Sequence, residues 1–388
     1  MARTPEYPRL PLRDNATGTS LILITFALLA LGVVLVPSAL ASFRERGEWY
    51  QRVDYRHVIY AIIAGAMLLG LWRFNYHRFL SANGTFPWPA AVFLGVALLL
   101  GGLVYIPGIG KSVGGYHRWV QFGSSFTFQP SELIKLALLI FLSAFLSKVN
   151  VRSIWTFAFS GMMILGCVGL IATQDFGTAA IIGVSAGVTL LLAGVPWYYL
   201  ASLLVPASGA FYFLVLCDPM RVQRMQTMLD PWGSYQARQA LLAILSGGWF
   251  GKGLGMGMLK LGYLPEDSTD YVFAILCEEM GLVGGTFLLV LLILWFVQAC
   301  RASLQSGSKF GQLLAGSLGF VIGLQALLHI AVNLSVAPQK GIGLPFVSAG
   351  GTSMIMMAAA VALIVSVTSR RRSPEAEFES VAAASAVA

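Results

Sequence analysis

The chain has 388 residues, of which 57% are hydrophobic and 11% charged, with a formal net charge of +8. A water-soluble domain carries roughly 25% charged residues, so this composition excludes a soluble enzyme and describes a protein built mostly of membrane spans. The positive balance is no argument for nucleic acid. Arginine at membrane edges contacts lipid headgroups or sets topology, and no basic-aromatic cluster of the size a DNA or RNA site needs is present.

A bilayer span needs about 20 apolar residues. Such stretches fall at 20–42, 56–72, 88–106, 131–147, 153–172, 177–194, 196–216, 271–298, 311–337 and 349–368. They predict an all-α polytopic membrane protein of about ten helices, with interruptions at Asp175 and Pro196. The first stretch ends in Pro37-Ser38-Ala39-Leu40 without a cleavage signature and reads as a retained helix rather than a signal peptide. Residues 1–18 form a polar, Pro/Arg-rich tail, 19–370 one transmembrane domain, and 371–388 a Glu/Ala/Ser-rich disordered tail. With both termini on the cytoplasmic side, the short inner segments carry 12 Lys and Arg and the short outer ones 7, as the positive-inside rule requires. No internal repeat is visible, which weakens an inverted-repeat transporter reading.

The largest loop, 217–270, lies between the seventh and eighth spans and is predicted to be extracytoplasmic. It carries Arg221, Arg224, Arg238, Lys252 and Lys260. Around Arg238–Leu245 it has the pattern of an amphipathic helix lying in the interface, and Gly247 through Gly257 predicts irregular backbone. The four cysteines, Cys167, Cys217, Cys277 and Cys300, form no CxxC pair, and the four histidines have no metal-ligand spacing.

Four segments carry chemistry, each with a plainer alternative. Glu132 and Lys135 are three apart at the start of a span, so they share a helical face and can pair. The pair either holds helices together or lines a cavity for a charged substrate. Glu266, Asp267 and Asp270 precede the eighth span. Acids in a first turn favour the helix dipole, with Ser268 or Thr269 as cap, but three acids facing an Arg/Lys/Gly-rich loop exceed what capping needs. Acidic groups beside hydrocarbon are costly and by default functional; local physics does not choose among the three. Gln325, His329 and Asn333 are spaced by four, a polar stripe for interhelical hydrogen bonds or for the wall of a groove. Lys340 through Gly351 is a Gly/Pro-broken segment whose backbone N–H groups and lysine suit an anion such as phosphate, although its glycines also permit close packing.

Taken in order, these pieces resemble the SEDS family (shape, elongation, division and sporulation) of polytopic membrane glycosyltransferases. The resemblance runs from about residue 20 to 370. It rests on Arg118-Trp119 with Phe128-Gln129-Pro130-Ser131-Glu132-Leu133-Ile134-Lys135, then Gln174-Asp175-Phe176-Gly177-Thr178, Leu229-Asp230-Pro231 and Ser246 through Gly255. Leu264 through Tyr271, Glu278-Glu279 and Lys340 through Gly351 complete it. The spacing from Gly253-Leu254-Gly255 to Tyr263-Leu264-Pro265-Glu266 is similar to the division branch more than the elongation branch. The sporulation branch shares it. Ser268 stands where the family usually has histidine, Ala349 where it has tyrosine, and His329 where it has asparagine.

The resemblance implies polymerisation of lipid II, the undecaprenyl-diphosphate-linked disaccharide-pentapeptide, into glycan strands at the outer face of the bacterial cytoplasmic membrane during division. It implies Asp270 as general base. Glu132, Lys135, Arg118, Asp175, Arg221, Arg224, Lys252, Glu266, His329, Lys340 and Ser348 become substrate-binding candidates. No resident cofactor is implied; a divalent cation, magnesium or manganese, stays open as an aid to the leaving diphosphate. A class B penicillin-binding transpeptidase and the division machinery are the implied partners. A lipid II flippase, an elongation or sporulation paralogue and a non-catalytic division scaffold are the alternatives.

Overall fold

The computed structural model describes residues 10–40, 53–81, 84–106, 108–113, 116–122, 126–257 and 270–370. Thirteen α-helices lie in the described residues: α1 (Ala16–Leu40), α2 (Val53–Leu71), α3 (Trp88–Gly102), α4 (Pro130–Leu146), α5 (Ile154–Ala172), α6 (Phe176–Ala193), α7 (Trp197–Ser202), α8 (Leu204–Phe211), α9 (Pro219–Leu229), α10 (Tyr235–Ser246), α11 (Val272–Leu304), α12 (Lys309–Asn333) and α13 (Gly351–Thr368). Eight helices among the described residues are long and apolar enough to cross a membrane. The other two expected spans differ. Residues 196–216 break into α7, α8 and a π-helix, Tyr212–Leu216. Helix α4 has 17 residues, about 25 Å at 1.5 Å per residue, short of the roughly 30 Å hydrocarbon core.

Helix α4 is central. Fifteen of its seventeen residues are buried, and it packs against α3, α5, α6, α12 and α13. A helix apolar on every face is the one that others surround. Its neighbours α12 and α13 are also mostly enclosed, whereas α2 and α3 leave most of their surface open.

One face of the bundle gathers both ends of the described chain. Leu10 N–H donates to Ser369 O at 2.8 Å, Asn15 Nδ2 donates to Thr368 Oγ1 at 2.9 Å, and Arg370 donates to Asn75 Oδ1 at 2.6 Å. The α3–α4 connection, Asp175, Asp270 and Lys340 lie at the opposite ends of these helices. The α3–α4 connection holds a small antiparallel sheet in the order β1-β2-β3, formed by Gly110–Val113, Tyr116–Phe122 and Phe126–Phe128, which an all-α expectation did not contain. It is tied to the bundle where Thr352 Oγ1 donates to Thr127 O at 3.2 Å.

Two irregular segments are held at membrane depth. The first, Lys340–Gly350, dips between helices and buries Ile342, Leu344, Phe346 and Val347. Gly32, midway along α1, lies against the backbone of Val347, so this loop is re-entrant. Irregular backbone survives at such depth only where protein encloses it. The second is a break in α11 at Gly281, where φ is 66° and ψ −164°. The glycine-rich segment after α10 fills that break. Lys252 and Gly253 N–H donate to Glu278 and Glu279 carbonyls, both at 3.0 Å, and Leu282 and Val283 N–H donate to Gly248 and Trp249 carbonyls at 2.9 and 3.2 Å. The four backbone groups freed by the break are thereby satisfied.

Candidate functional site

A cavity of about 280 Å³ opens at the N-terminus of α4, with Arg118, Glu132, Lys135, Asp270, Gln325, Gly341, Ser348 and Ser353 among its lining residues. Its floor is a buried ion pair. Lys135 Nζ stands 2.7 Å from Glu132 Oε2 and donates to Gln325 Oε1 at 3.0 Å, while Ser353 Oγ donates to Glu132 Oε2 at 3.1 Å. A buried pair persists only when hydrogen bonds meet its remaining polar demand, and α12 and α13 supply them. Asp270, two residues before the start of α11, forms part of the wall. Its carboxylate lies against Gly341, where a Cβ would stand 3.1 Å from Oδ2. Ser348 lines the cavity too, its Oγ accepting Leu344 N–H at 2.7 Å and closing the loop on itself.

Beside this cavity runs an apolar groove of about 390 Å³ between α6 and α12, lined by Val184, Leu324, Leu328 and Val332 and headed by Arg118, Asp175, Arg221, Arg224 and Lys340. Arg118 and Ile342 line both spaces. Asp175 caps α6, accepting Thr178 N–H at 3.0 Å and Thr178 Oγ1 at 2.9 Å. It also faces Lys340 Nζ at 3.4 Å and Arg118 at 3.9 Å. Burial pushes the Asp175 pKa up, but Lys340, Arg118 and the Thr178 bonds outweigh it and hold the carboxyl below its ordinary value. Lys340 and Asp175 attract as enclosed charges at this separation. Burial lowers the Lys340 pKa to about 8 despite the opposing pull of Asp175.

Arg221 anchors α9 over the groove. Its Nε pairs with Asp218 at 3.1 Å, Nη2 donates to Thr173 O at 3.3 Å, and the guanidinium covers the Phe176 ring at 5.7 Å. Tyr271, at the cap position of α11, is buried in a cluster with Ala240 and Ala243 of α10. Burial pushes its hydroxyl up to about 12, the Asp270 carboxylate adds to this, and Arg224 opposes it.

The structure thus gathers Arg118, Glu132, Lys135, Asp270 and Ser348 around one cavity and Asp175, Arg221, Arg224 and Lys340 at the head of the adjoining groove. Two candidates stand elsewhere. Lys252 lines neither space; its Nζ pairs with buried Glu278 at 2.7 Å, beside the break in α11. His329 lines neither space, is fully buried, and places Nδ1 2.6 Å from Ile342 O. In sequence, a polar residue in an apolar setting reads alike whether it faces a ligand or a loop. Glu266, with Asp267, Ser268 and Thr269, lies outside the described residues, as do Lys260 and the tails at 1–9 and 371–388. Ser353 and Gln129 were missed as lining residues; a serine in the first turn of an apolar span was the available signal for the former. Among the described residues no group of three or more His, Cys, Asp or Glu could hold a metal ion.

A family model described as "Cell cycle protein" and covering FtsW, RodA and SpoVE matches residues 19–373. A protein of Nitrosococcus halophilus named "Probable peptidoglycan glycosyltransferase FtsW" is 36% identical over 368 residues, covering 92% of this chain and 93% of its own. Its namesake in Coxiella burnetii is 34% identical over 365 residues, covering 89% and 94%. Among solved structures, the Thermus thermophilus rod shape determining protein RodA superposes with a TM-score of 0.66 at 25% identity, over 91% of this chain and 97% of RodA. A chain from the structure described as "Structural coordination of polymerization and crosslinking by a peptidoglycan synthase complex" gives 0.72 at 26% identity, over 90% and 97%. With its motifs in order along the whole membrane domain and this fold around them, the chain belongs to the FtsW/RodA/SpoVE family, the SEDS proteins.

Proposed function

We propose that this membrane protein is a peptidoglycan glycosyltransferase that polymerises lipid II, with Asp270 as general base. One observation carries the reading: a carboxylate, a set of cations and an apolar groove adjoin across a shared wall at Arg118 and Ile342. Glycan polymerisation needs these three together. The acceptor sugar's 4-hydroxyl loses its proton to the Asp270 carboxylate as its oxygen attacks the donor's anomeric carbon. The bond from that carbon to the diphosphate oxygen breaks, and the lipid diphosphate departs with the electron pair. Attack opposite the leaving group inverts the anomeric centre.

Negative charge grows on the leaving diphosphate, so cations fixed beforehand stabilise the transition state more than the ground state. Lys340, Arg118, Arg221 and Arg224 stand at the head of the groove for this, and the groove takes the polyprenyl tail. Glu132 and Lys135 are locked to each other and to α12, which suits them to shape the cavity and orient sugar. A divalent cation, magnesium or manganese, stays open as an aid to the leaving diphosphate alongside these side chains.

The chain is proposed to sit in the bacterial cytoplasmic membrane, at the septum, with both termini cytoplasmic and the site outside. The face holding both ends of the described chain also carries Arg13, Arg73, Arg78, Lys148 and Arg370, in keeping with the positive-inside rule. A class B penicillin-binding transpeptidase is the proposed partner, crosslinking the strands made here. The test is incubation of the purified chain, with and without that transpeptidase, with labelled lipid II. A ladder of lengthening products on a gel is expected; movement of lipid II across vesicles with no ladder would make the protein a flippase instead.

A further inference from the structure

Helix α11 begins without a cap of its own: Tyr271 holds the cap position and its side chain makes no capping hydrogen bond. A cap is usually a Ser, Thr, Asp or Asn oxygen that accepts the second or third N–H of the helix. Here that oxygen comes from another helix. Asn333 Oδ1, at the end of α12, accepts the N–H of Ala274, third residue of α11, at 3.1 Å. The amide nitrogen of the same side chain donates to Asp270 O at 3.0 Å. One fully buried amide therefore ties the start of α11 to the backbone of Asp270.

Asn333 is held in turn by His329. Its Nδ2 lies 2.9 Å from His329 O and 3.3 Å from His329 Nε2, so two amide hydrogens serve three acceptors and one is shared. His329 Nδ1 must be the donor to Ile342 O at 2.6 Å, because a carbonyl oxygen only accepts. Nε2 of the neutral ring is then free to accept, and this single tautomer satisfies every contact. An unbroken chain of hydrogen bonds runs from the Ile342 carbonyl through His329 and Asn333 to the backbone of Asp270. Gly341, the residue before Ile342, is the one against which the Asp270 carboxylate rests.

We propose that Asn333, backed by His329, is a positioning residue for Asp270, capping α11 from α12 and fixing the base relative to the Lys340–Ser348 loop. Neither side chain lines the cavity or the groove, so neither is catalytic. The proposal rests on Asp270 being the base. A carboxylate shifted by its backbone removes the proton more slowly, while the cations and groove that bind substrate stay as they were.

The test measures kcat and KM for polymerisation of labelled lipid II by the purified full chain, with thermal unfolding in detergent, for Asn333→Ala, His329→Ala and His329→Asn. Asn333→Ala is expected to lower kcat about 10- to 100-fold, the scale of a misplaced catalytic group, with KM unchanged. His329→Asn keeps a donor for Ile342 O and is expected to recover most of the kcat lost in His329→Ala. If Asn333→Ala does not fold, the two His329 variants carry the same comparison. A wild-type kcat in Asn333→Ala, a fall in kcat matched by a rise in KM, or His329→Asn no better than His329→Ala overturns the proposal. Asp270→Ala is run alongside. If it stays active, the base assignment itself has failed; if it is inactive while Asn333→Ala is fully active, only the positioning claim falls.

Discussion

Lys340 Nζ stands 3.4 Å from Asp175 Oδ1, close enough for the two charges to attract strongly in an enclosed setting. The lysine lies in the space that a Cβ on Gly177 would fill, so the glycine of the Gln174–Thr178 motif is what allows the approach. The enclosed ammonium stands at the head of the groove, where the proposed diphosphate would meet it.

The pH dependence follows. Burial brings Lys340 from an ordinary 10.5 to about 8, so its charge is complete below that value and lost as pH rises through it. Affinity for lipid II is expected to fall as pH passes about 8, and Lys340→Arg to remove that limb because a guanidinium does not titrate there. Folding responds oppositely. Between about 8 and 10.5 the unfolded chain holds the extra proton, so this group's contribution to stability rises with pH. Loss of binding above pH 8 with no loss of thermal stability, followed by titration of a fluorescent lipid II analogue, distinguishes the two.

The floor of the central cavity gives a stability prediction. Glu132→Gln or Lys135→Met alone leaves one buried charge without its partner and is expected to cost about 3–5 kcal/mol. The double substitution leaves no charge behind and is expected to recover most of that loss. Thermal unfolding of the four proteins in one detergent measures the coupling; additive losses would mean the two side chains do not depend on each other.

At the break in α11, Gly281 has φ of 66° and a Cβ there would stand 2.5 Å from Trp249 O. Gly281→Ala is expected to cost about 3–5 kcal/mol, joining roughly 1–3 kcal/mol for a backbone region essentially confined to glycine to overpacking of about 1–3 kcal/mol. Gly248→Ala is the control: its φ is 56° but nothing lies within 4 Å of the added methyl, so about 1 kcal/mol is expected. Equal effects in unfolding experiments would show that the loop does not fill the break.

Much of the fold was legible because a membrane span is an uninterrupted apolar run. Helices α5 and α6 fall within a residue or two of their expected bounds. The centrality of α4 was not legible, since an apolar face looks the same against lipid and against protein. Gly281 hid inside a run that otherwise reads as helix, and its break shows only through the Gly248–Gly253 backbone that fills it. Strands as short as Phe126–Phe128 carry too few residues for alternation to register. At the site, Asp270, Glu132 and Lys135 were visible as costly charges beside hydrocarbon. Lys252 and His329 were equally visible, but one serves Glu278 and the other Ile342, and only packing reveals that. Asn333 appeared as the end of a polar stripe; its grip on the Asp270 backbone spans 63 positions of sequence.

The most direct measurement replaces Asp270 with asparagine, which keeps the side chain's shape and removes its basicity. Purified Asp270→Asn is incubated with labelled lipid II beside the unaltered chain, with lipid II binding and thermal unfolding followed in parallel. The expected result is no product ladder from a protein that still binds lipid II and unfolds at the same temperature. A ladder of undiminished length and rate would contradict the assignment of Asp270 as the group that takes the proton.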